Sequence, residues 1–526
     1  MRICIINTGG TISCYGRPLA PMSAAEFAAA SRAILTPSII QIFPDVELYY
    51  ETRLIFPESK TGTLDSTNLQ PKDWCLMAKY ILDHYGDYDG FVVLHGTDSM
   101  AFTGSALPFL LNVFDDNGFG TAVLSKPVII TGSQVPMYSL SSEAEGLKSL
   151  QLNFNTDAYQ NFCGAVACAQ LGIADIGVYF NANLYRGNRV LKINTSEFQA
   201  FNSPNYPVLA KYGINLELYA ENILPGPVNY TFSLDNPEKL ALAQKQLMTI
   251  FEVIDEQTIM QFNAFPAPYD AKLGTAFIAD LIRACVAQNL KSLLLESYGE
   301  GNFPSGNPDN HAAGGIYQAL KEADEAGVII IDSTQVIAGV VKNSSYASGA
   351  WLAKVGAVNA FDMTAVAALT KTVILLAAGE MHGWSGETIK MLLQLNLTGE
   401  IMSMSRLDSR INNELLAGQS ITSLDGTAVL VNDPRRGLRL VGGRGELLWT
   451  PFGLDSKGEP GDLKMQNSGN LVLYGDNNNP LWETGTANPE GASSVLMLCG
   501  SYGKGTLRLS VYDYSRRKET VVLYAQ

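Results

Sequence analysis

Through the first two-thirds of the chain, short runs that are apolar at every position alternate with longer segments whose apolar residues recur at helical spacing. Residues 3–6, 90–94, 127–131, 165–169 and 178–180 read as strands apolar on both faces, the pattern of a parallel sheet covered by helices. Residues 71–84 and 98–114 read as helices between them. Repeated strand–helix alternation predicts an α/β fold. The Pro- and Asn-rich stretch 202–227 reads as a connection to a second α/β unit. Strands are expected there at 292–296 and 328–331, and helices at 311–326 and 387–395, followed by a short helix ending near Leu415.

Beyond Gly418 the pattern changes. Short alternating runs at 428–431, 438–441, 447–450, 463–466 and 471–474 are separated by Gly, Asn, Asp and Pro, which predicts an all-β region. Val429-Leu430-Val431 with Leu447-Leu448-Trp449 matches Leu463-Lys464-Met465 with Pro480-Leu481-Trp482, and a third copy begins at Val495-Leu496-Met497. That recurrence predicts a three-fold β unit. The expected layout is therefore an α/β domain over 1–204, a linker over 205–228, a second α/β domain over 229–405 and a β domain over 415–526.

Composition sharpens this picture. At 526 residues the chain is too long for one ordinary domain, and 47 % apolar with 17 % charged residues is a well-cored composition. The formal net charge of -15 argues against nucleic acid or an anionic membrane as partner. From residue 420 onward 11 basic and 11 acidic residues cancel, so the whole acidic excess lies before it. Seven scattered cysteines without CxxC spacing read as buried thiols in a reducing compartment. His84, His95, His311 and His382 form no ligand cluster, so no metal is expected. Met1-Arg2-Ile3-Cys4-Ile5-Ile6 runs straight into a glycine turn. It reads as a first strand rather than a leader, and the expected location is cytoplasmic.

Two polar turns follow apolar strands, where ligands of open α/β sheets bind. The first is Asn7-Thr8-Gly9-Gly10-Thr11-Ile12; its glycines let backbone N–H groups approach a substrate. The second is His95-Gly96-Thr97-Asp98-Ser99-Met100. On the residues alone, Thr11, Thr97 and Asp98 could equally be helix caps.

Taken in order, these turns and four further segments resemble the bacterial-type asparaginases, in their cytoplasmic, type I form. The further segments are Asp65-Ser66-Thr67, Lys126-Pro127-Val128-Ile129-Ile130-Thr131-Gly132-Ser133-Gln134, Tyr185-Arg186-Gly187-Asn188-Arg189-Val190-Leu191-Lys192 and Ser297-Tyr298-Gly299-Glu300-Gly301-Asn302. The resemblance covers roughly 1–405. It implies hydrolysis of L-asparagine to aspartate and ammonia without a cofactor, with glutaminase as a side activity. Thr11 would be the nucleophile, and Thr97, Asp98 and Lys192 the polar relay, with Asp98 also pairing the substrate α-ammonium. Ser66, flanked by Asp65 and Thr67, would hold the α-carboxylate. Asn302 would reach a neighbouring subunit's site in a homodimer or homotetramer. A threonine hydroxyl needs a proton acceptor nearby, and a desolvated lysine can serve as one; backbone N–H groups at Thr11 and Thr97 suit a developing oxyanion.

The chain departs from the family pattern at the lid. Leu19 stands where the family carries a tyrosine, and Tyr15 is the loop's one tyrosine, the candidate to replace it. Thr334-Gln335 is followed by Val336 rather than the cysteine of the allosteric members, and 228–275 is longer than the family norm.

Gln466-Asn467-Ser468-Gly469-Asn470-Leu471-Val472-Leu473-Tyr474 resembles the mannose-binding signature of bulb-type lectins, with Ser468 in place of its aspartate. The resemblance covers about 415–526 and implies a β-prism in which Gln466, Asn470 and Tyr474 bind a mannose-type glycan. The alternative is a structural module whose polar residues close turns. For the whole chain, the competing reading is a carbohydrate-binding protein with a weakly active asparaginase-like part.

Overall fold

β1 (Arg2–Asn7) has five of its six residues buried and lies near one edge of an eight-stranded sheet. The computed structural model describes residues 1–526 other than 117, 119, 141–149, 225, 228–229, 342–346, 403–405, 410–412, 424–426, 444, 490, 492–493, 500–501, 504, 514–515 and 517. β2 (Glu47–Tyr50), β3 (Gly90–Leu94), β4 (Val128–Thr131) and β5 (Ile176–Phe180) run parallel with β1. β3, β4 and β5 are buried at every position, as strands covered on both faces must be. β6 (Asn183–Arg186), β7 (Ala210–Tyr212) and β8 (Leu216–Leu218) continue the sheet antiparallel, in the order β8-β7-β6-β5-β4-β3-β1-β2. The sheet is therefore mixed, and the stretch read as a linker, 205–228, supplies two of its strands. Alternation in Ala210–Tyr212 and Leu216–Leu218 is too short to show as a strand signal.

Residues 165–169, expected as a strand, close the helix Ala158–Cys168. That helix is buried over most of its surface, so its apolar run carries no visible helical period. The expected helices at 71–84 and 98–114 are Pro71–Asp83 and Met100–Leu110.

A second, parallel sheet comprises β9 (Ile259–Asn263), β10 (Ser292–Ser297), β11 (Ile329–Thr334) and β12 (Val358–Asn359). Both sheets belong to one unit, Met1–Gly226, Leu234–Leu393 and Thr398–Glu400. The long stretch 228–275, whose first two residues lie outside the described ones, contributes the helix Pro237–Val253 to this unit. Gln246 fastens that helix to the first lobe: its Oε1 accepts from Phe114 N (2.9 Å) and its Nε2 donates to Asn112 O (2.9 Å).

The helix Ala365–His382 is long and apolar enough to span a membrane, yet most of it is buried within the protein. It carries Lys371, whose ammonium is fully buried and 2.6 Å from the equally buried Glu400 Oε1. Lys371 Nζ also donates to Leu393 O (3.0 Å), and Thr398 N to Glu400 Oε2 (2.7 Å).

The other unit, Pro227–Ser233, Gln394–Leu397 and Ile401–Gln526, holds three four-stranded antiparallel sheets around a leucine-rich core. Each repeat of the sequence is one sheet: Ala428–Asp433, Gly437–Gly442 and Leu447–Trp449; Asp462–Met465, Leu471–Tyr474 and Pro480–Glu483; Ser494–Cys499, Arg508–Asp513 and Lys518–Ala525. The fourth strands come from one short run. Ser420–Thr422 joins the first sheet, Glu414–Leu415 the second and Arg406–Asp408 the third. The short helix expected before Leu415 is thus replaced by strands, although 403–405 and 410–412 lie outside the described residues. A single strand of two or three residues has no period by which to recognise it.

Candidate active site

The turn after β1 is shaped by its glycines. Gly9 and Gly10 have φ of 115° and 76°, open to glycine and costly for other residues. A Cβ on Gly9 would sit 2.1 Å from Leu64 O, and one on Gly10 2.2 Å from Gly96 Cα. Gly10 N donates to Leu64 O (3.0 Å) and Leu64 N to Thr8 O (2.8 Å). The turn is thus zipped to the segment carrying Asp65 and Ser66, and it touches the turn after β3. Thr11 opens the short 3-10 turn Thr11–Ser13 and is half-buried. Gly10, not Thr11, holds the capping position, and no side chain caps the turn.

The turn after β3 is held from beneath by His95. Its Nδ1 lies 2.7 Å from Gly96 O and its Nε2 2.8 Å from Thr103 Oγ1. Complete burial pushes its pKa down to about 4. The imidazole is therefore neutral at pH 7, donating from Nδ1 and accepting from the Thr103 hydroxyl. In the unfolded chain the ring titrates near its ordinary 6.5. Between those values the unfolded state binds more protons, so the stabilisation is full above about pH 6.5 and is lost as pH falls toward 4. We expect His95 alone to cost on the order of 2 kcal/mol of stability between pH 7 and 5. Denaturant titrations at both pH values should show that loss in wild type and a smaller one in His95→Gln.

Ser99 precedes the helix Met100–Leu110, and its hydroxyl donates to Ser66 O (2.6 Å) rather than to the helix. Ser66 is buried, and a Cβ on Gly96 would meet its Oγ at 2.3 Å. Thr97 and Asp98 therefore do not cap that helix. They meet Lys192 instead: its Nζ donates to Thr97 Oγ1 (2.8 Å) and to Asp98 Oδ1 (2.7 Å). The Asp98 side chain is 57 % exposed, which leaves an open face for a ligand cation. Lys192 stands on the strand Leu191–Lys192, just past the 3-10 turn Gly187–Arg189. That turn presses on the helix through facing glycines. A Cβ on Gly104 would lie 2.8 Å from Gly187 O, and one on Gly187 2.5 Å from Gly104 O. The glycine pair sets the distance across which Lys192 reaches the helix start.

The remaining candidates are placed less centrally. Asp65 and Thr67 are exposed, and Asp65 Oδ1 accepts from Thr67 N and Thr67 Oγ1, both at 3.1 Å. Tyr15 lies on a two-residue strand, Cys14–Tyr15, paired with Ala20–Pro21, and it packs against the apolar core that includes Ile3 and Ile5 of β1. Leu19, at the family's tyrosine position, is 56 % exposed. Asn302 bonds within the second lobe, where its Oδ1 accepts from Ser348 Oγ (2.8 Å). Sequence reasoning assigned no task to His95, Ser99, Thr103 or Gly104; only the clustering of hydroxyls around 95–103 hinted at them.

In the all-β unit, Gln466 Nε2 donates to Tyr474 Oη (2.6 Å) and Ser468 Oγ to Gln466 Oε1 (3.2 Å). Asn470 is buried; its Nδ2 donates to Glu483 Oε2 (2.7 Å) and its Oδ1 accepts from Thr484 Oγ1 (3.1 Å). Asn432, at the Gln position of the first repeat, is fully buried and donates to Leu415 O (2.8 Å) and Gly461 O (2.7 Å).

The family models described as Asparaginase, N-terminal, and Glutaminase/Asparaginase C-terminal domain match residues 2–224 and 272–389. The chain belongs to the asparaginase family. It is an amidohydrolase and type I-like, being 35 % identical over 341 residues to L-asparaginase 1 of Escherichia coli (strain K12), across 65 % of this chain and 83 % of that one. It is also 32 % identical to a Mus musculus protein named 60 kDa lysophospholipase, across 67 % of this chain and 52 % of the relative. The crystal structure of L-asparaginase I from Vibrio cholerae superposes with a TM-score of 0.53 at 29 % identity, covering 76 % of this chain and 98 % of that one. In this chain the two family matches leave 225–271 between them and stop at residue 389, before Arg406, where the first strand of the three antiparallel sheets begins.

Proposed function

We propose that this protein hydrolyses the side-chain amide of L-asparagine, with Thr11 as nucleophile. The observation that carries the reading is the junction of three turns, at 8–11, 64–67 and 95–99, with Lys192 bonded to Thr97 and Asp98. The exposed Asp98 carboxylate suits an α-ammonium, and the buried Ser66 hydroxyl an α-carboxylate. The Thr11 hydroxyl attacks the amide carbon, and N–H groups at Thr11 and Thr97 face the oxyanion. Ammonia leaves, water cleaves the Thr11 ester, and aspartate follows. Thr97 and Lys192 carry protons between these steps. Asn302 belongs to the assembly, a homodimer or homotetramer. Tyr15, packed on the core beside the nucleophile turn, takes the lid tyrosine's place.

A panel of L-asparagine, L-glutamine and D-asparagine tests this. Ammonia release should be fastest from L-asparagine, slower from L-glutamine and absent from Lys192→Ala. Undiminished turnover in that variant, or indifference to the substrate's stereochemistry, would refute the assignment.

We read 415–526 as a lectin-like module whose candidate sugar site is the Gln466–Tyr474 pair. The three-sheet arrangement and the 2.6 Å contact between those side chains support it. Asn470, engaged by Glu483 and Thr484, serves to lock the loop. Mannose-type glycans on an array should retain wild type and lose Tyr474→Ala; equal retention of both would remove the pair from recognition.

A further inference from the structure

A polar cavity of about 420 Å³ adjoins the candidate active site. Leu64 and Asp65 form part of its wall, and Leu64 is the residue zipped to the nucleophile turn through Thr8 and Gly10. Along the wall the hydroxyls of Ser59, Thr61 and Thr63 form a ladder, 3.0 and 3.2 Å apart, ending on Met22 O at 2.8 Å. Lys60 supplies an ammonium with no carboxylate within ion-pair distance among the described residues, and Glu58 adds a carboxylate to the same wall. Asn68 and Gln70 add amide donors and acceptors.

Asp65 makes the cavity informative. An ionised carboxylate accepts hydrogen bonds and cannot donate them. The Ser66 hydroxyl can serve an α-carboxylate or a peptide carbonyl, and the exposed Asp65 carboxylate beside it can accept from an N–H group that follows. L-asparagine offers only a carboxylate on that side, whereas an asparaginyl peptide offers a carbonyl for Ser66 and then an N–H for Asp65. The following residue would enter the hydroxyl-lined cavity, with its terminal carboxylate near Lys60.

We propose that the cavity is a subsite for the residue following asparagine, so that the enzyme deamidates short peptides with an N-terminal asparagine. The inference rests on the asparaginase reading above. The reaction is the same hydrolysis: L-Asn-L-Ala and water give L-Asp-L-Ala and ammonia. The amide C–N bond breaks as the Thr11 Oγ–C bond forms, ammonia leaves with the transferred proton, and water then cleaves the ester.

The test compares ammonia release from L-asparagine and from L-Asn-L-Ala by the full chain, with Lys60→Glu and Thr61→Trp as variants outside the catalytic machinery. Wild type should deamidate both. The variants should lower kcat/KM for the dipeptide by about tenfold or more, while L-asparagine turnover stays within about twofold of wild type. A dipeptide left intact by an enzyme that turns over L-asparagine overturns the subsite and leaves the asparaginase reading standing. So does an equal loss on both substrates in both variants. Inertness toward both substrates overturns the asparaginase reading and the subsite with it.

Discussion

Thr11→Ala is expected to cut ammonia release from L-asparagine by about a thousandfold or more. The mutation deletes the hydroxyl while the elements that place it remain. Gly9 and Gly10 keep their left-handed backbone, and the bonds from Gly10 N and Leu64 N that zip the turn involve no side chain of residue 11. Lys192 keeps its bonds to Thr97 and Asp98, and Ser66 its bond from the Ser99 hydroxyl. Binding of L-aspartate should therefore persist within a few-fold, and loss should fall on kcat rather than on KM. Calorimetric titration of L-aspartate alongside steady-state rates separates these. A variant keeping a tenth of the wild-type rate would show that another group attacks the amide.

The largest expected effect on stability comes from Glu400→Ala. Glu400 and Lys371 are both completely buried and 2.6 Å apart. Arg189, also buried, donates to the Glu400 carbonyl and to Asp362, and Asn205 O accepts from Arg189 at 2.9 Å. Removing one member of a buried ion pair strands its partner's charge in a low dielectric and costs about 3–5 kcal/mol. Leu393 O, which accepts from Lys371 Nζ at 3.0 Å, is a neutral partner and does not compensate a charge. The denaturant midpoint for loss of activity should fall accordingly. The double variant Glu400→Leu with Lys371→Met should recover much of the loss, because no charge is left buried. A single variant as stable as wild type would mean that water reaches the pair.

The buried parallel strands were legible because they are apolar at every position and end in glycine turns. The candidate site was legible at the same strand ends, since Thr11, Thr97 and Asp98 follow β1 and β3 directly. Whether those residues were caps could not be read from types alone. It is settled by where hydroxyls point, and Ser99 bonding Ser66 rather than its own helix is a tertiary choice. Residues 165–169 were misread because a helix buried on most sides loses its period. Residues 210–218 were missed as strands because they are short and lie at a sheet edge, where polar residues are tolerated. The Gly104–Gly187 contact joins residues far apart in sequence, so no local pattern announces it. The β repeat was visible because each copy forms its own sheet.

Arg406–Asp408 lies upstream of the point where the sequence changes texture, yet it pairs along Val495, Leu496 and Met497, and Ser409 exchanges bonds with Ser494. A fragment cut at 415 would keep every residue of the lectin-like resemblance and lose this strand. The row of N–H and C=O groups on Ser494–Cys499 would then be bare, a ready template for another chain. Cleavage in the short run before 415 would thus turn the six-residue strand Ser494–Cys499 into an adhesive edge, and a boundary that spares the sheet lies upstream of Arg406.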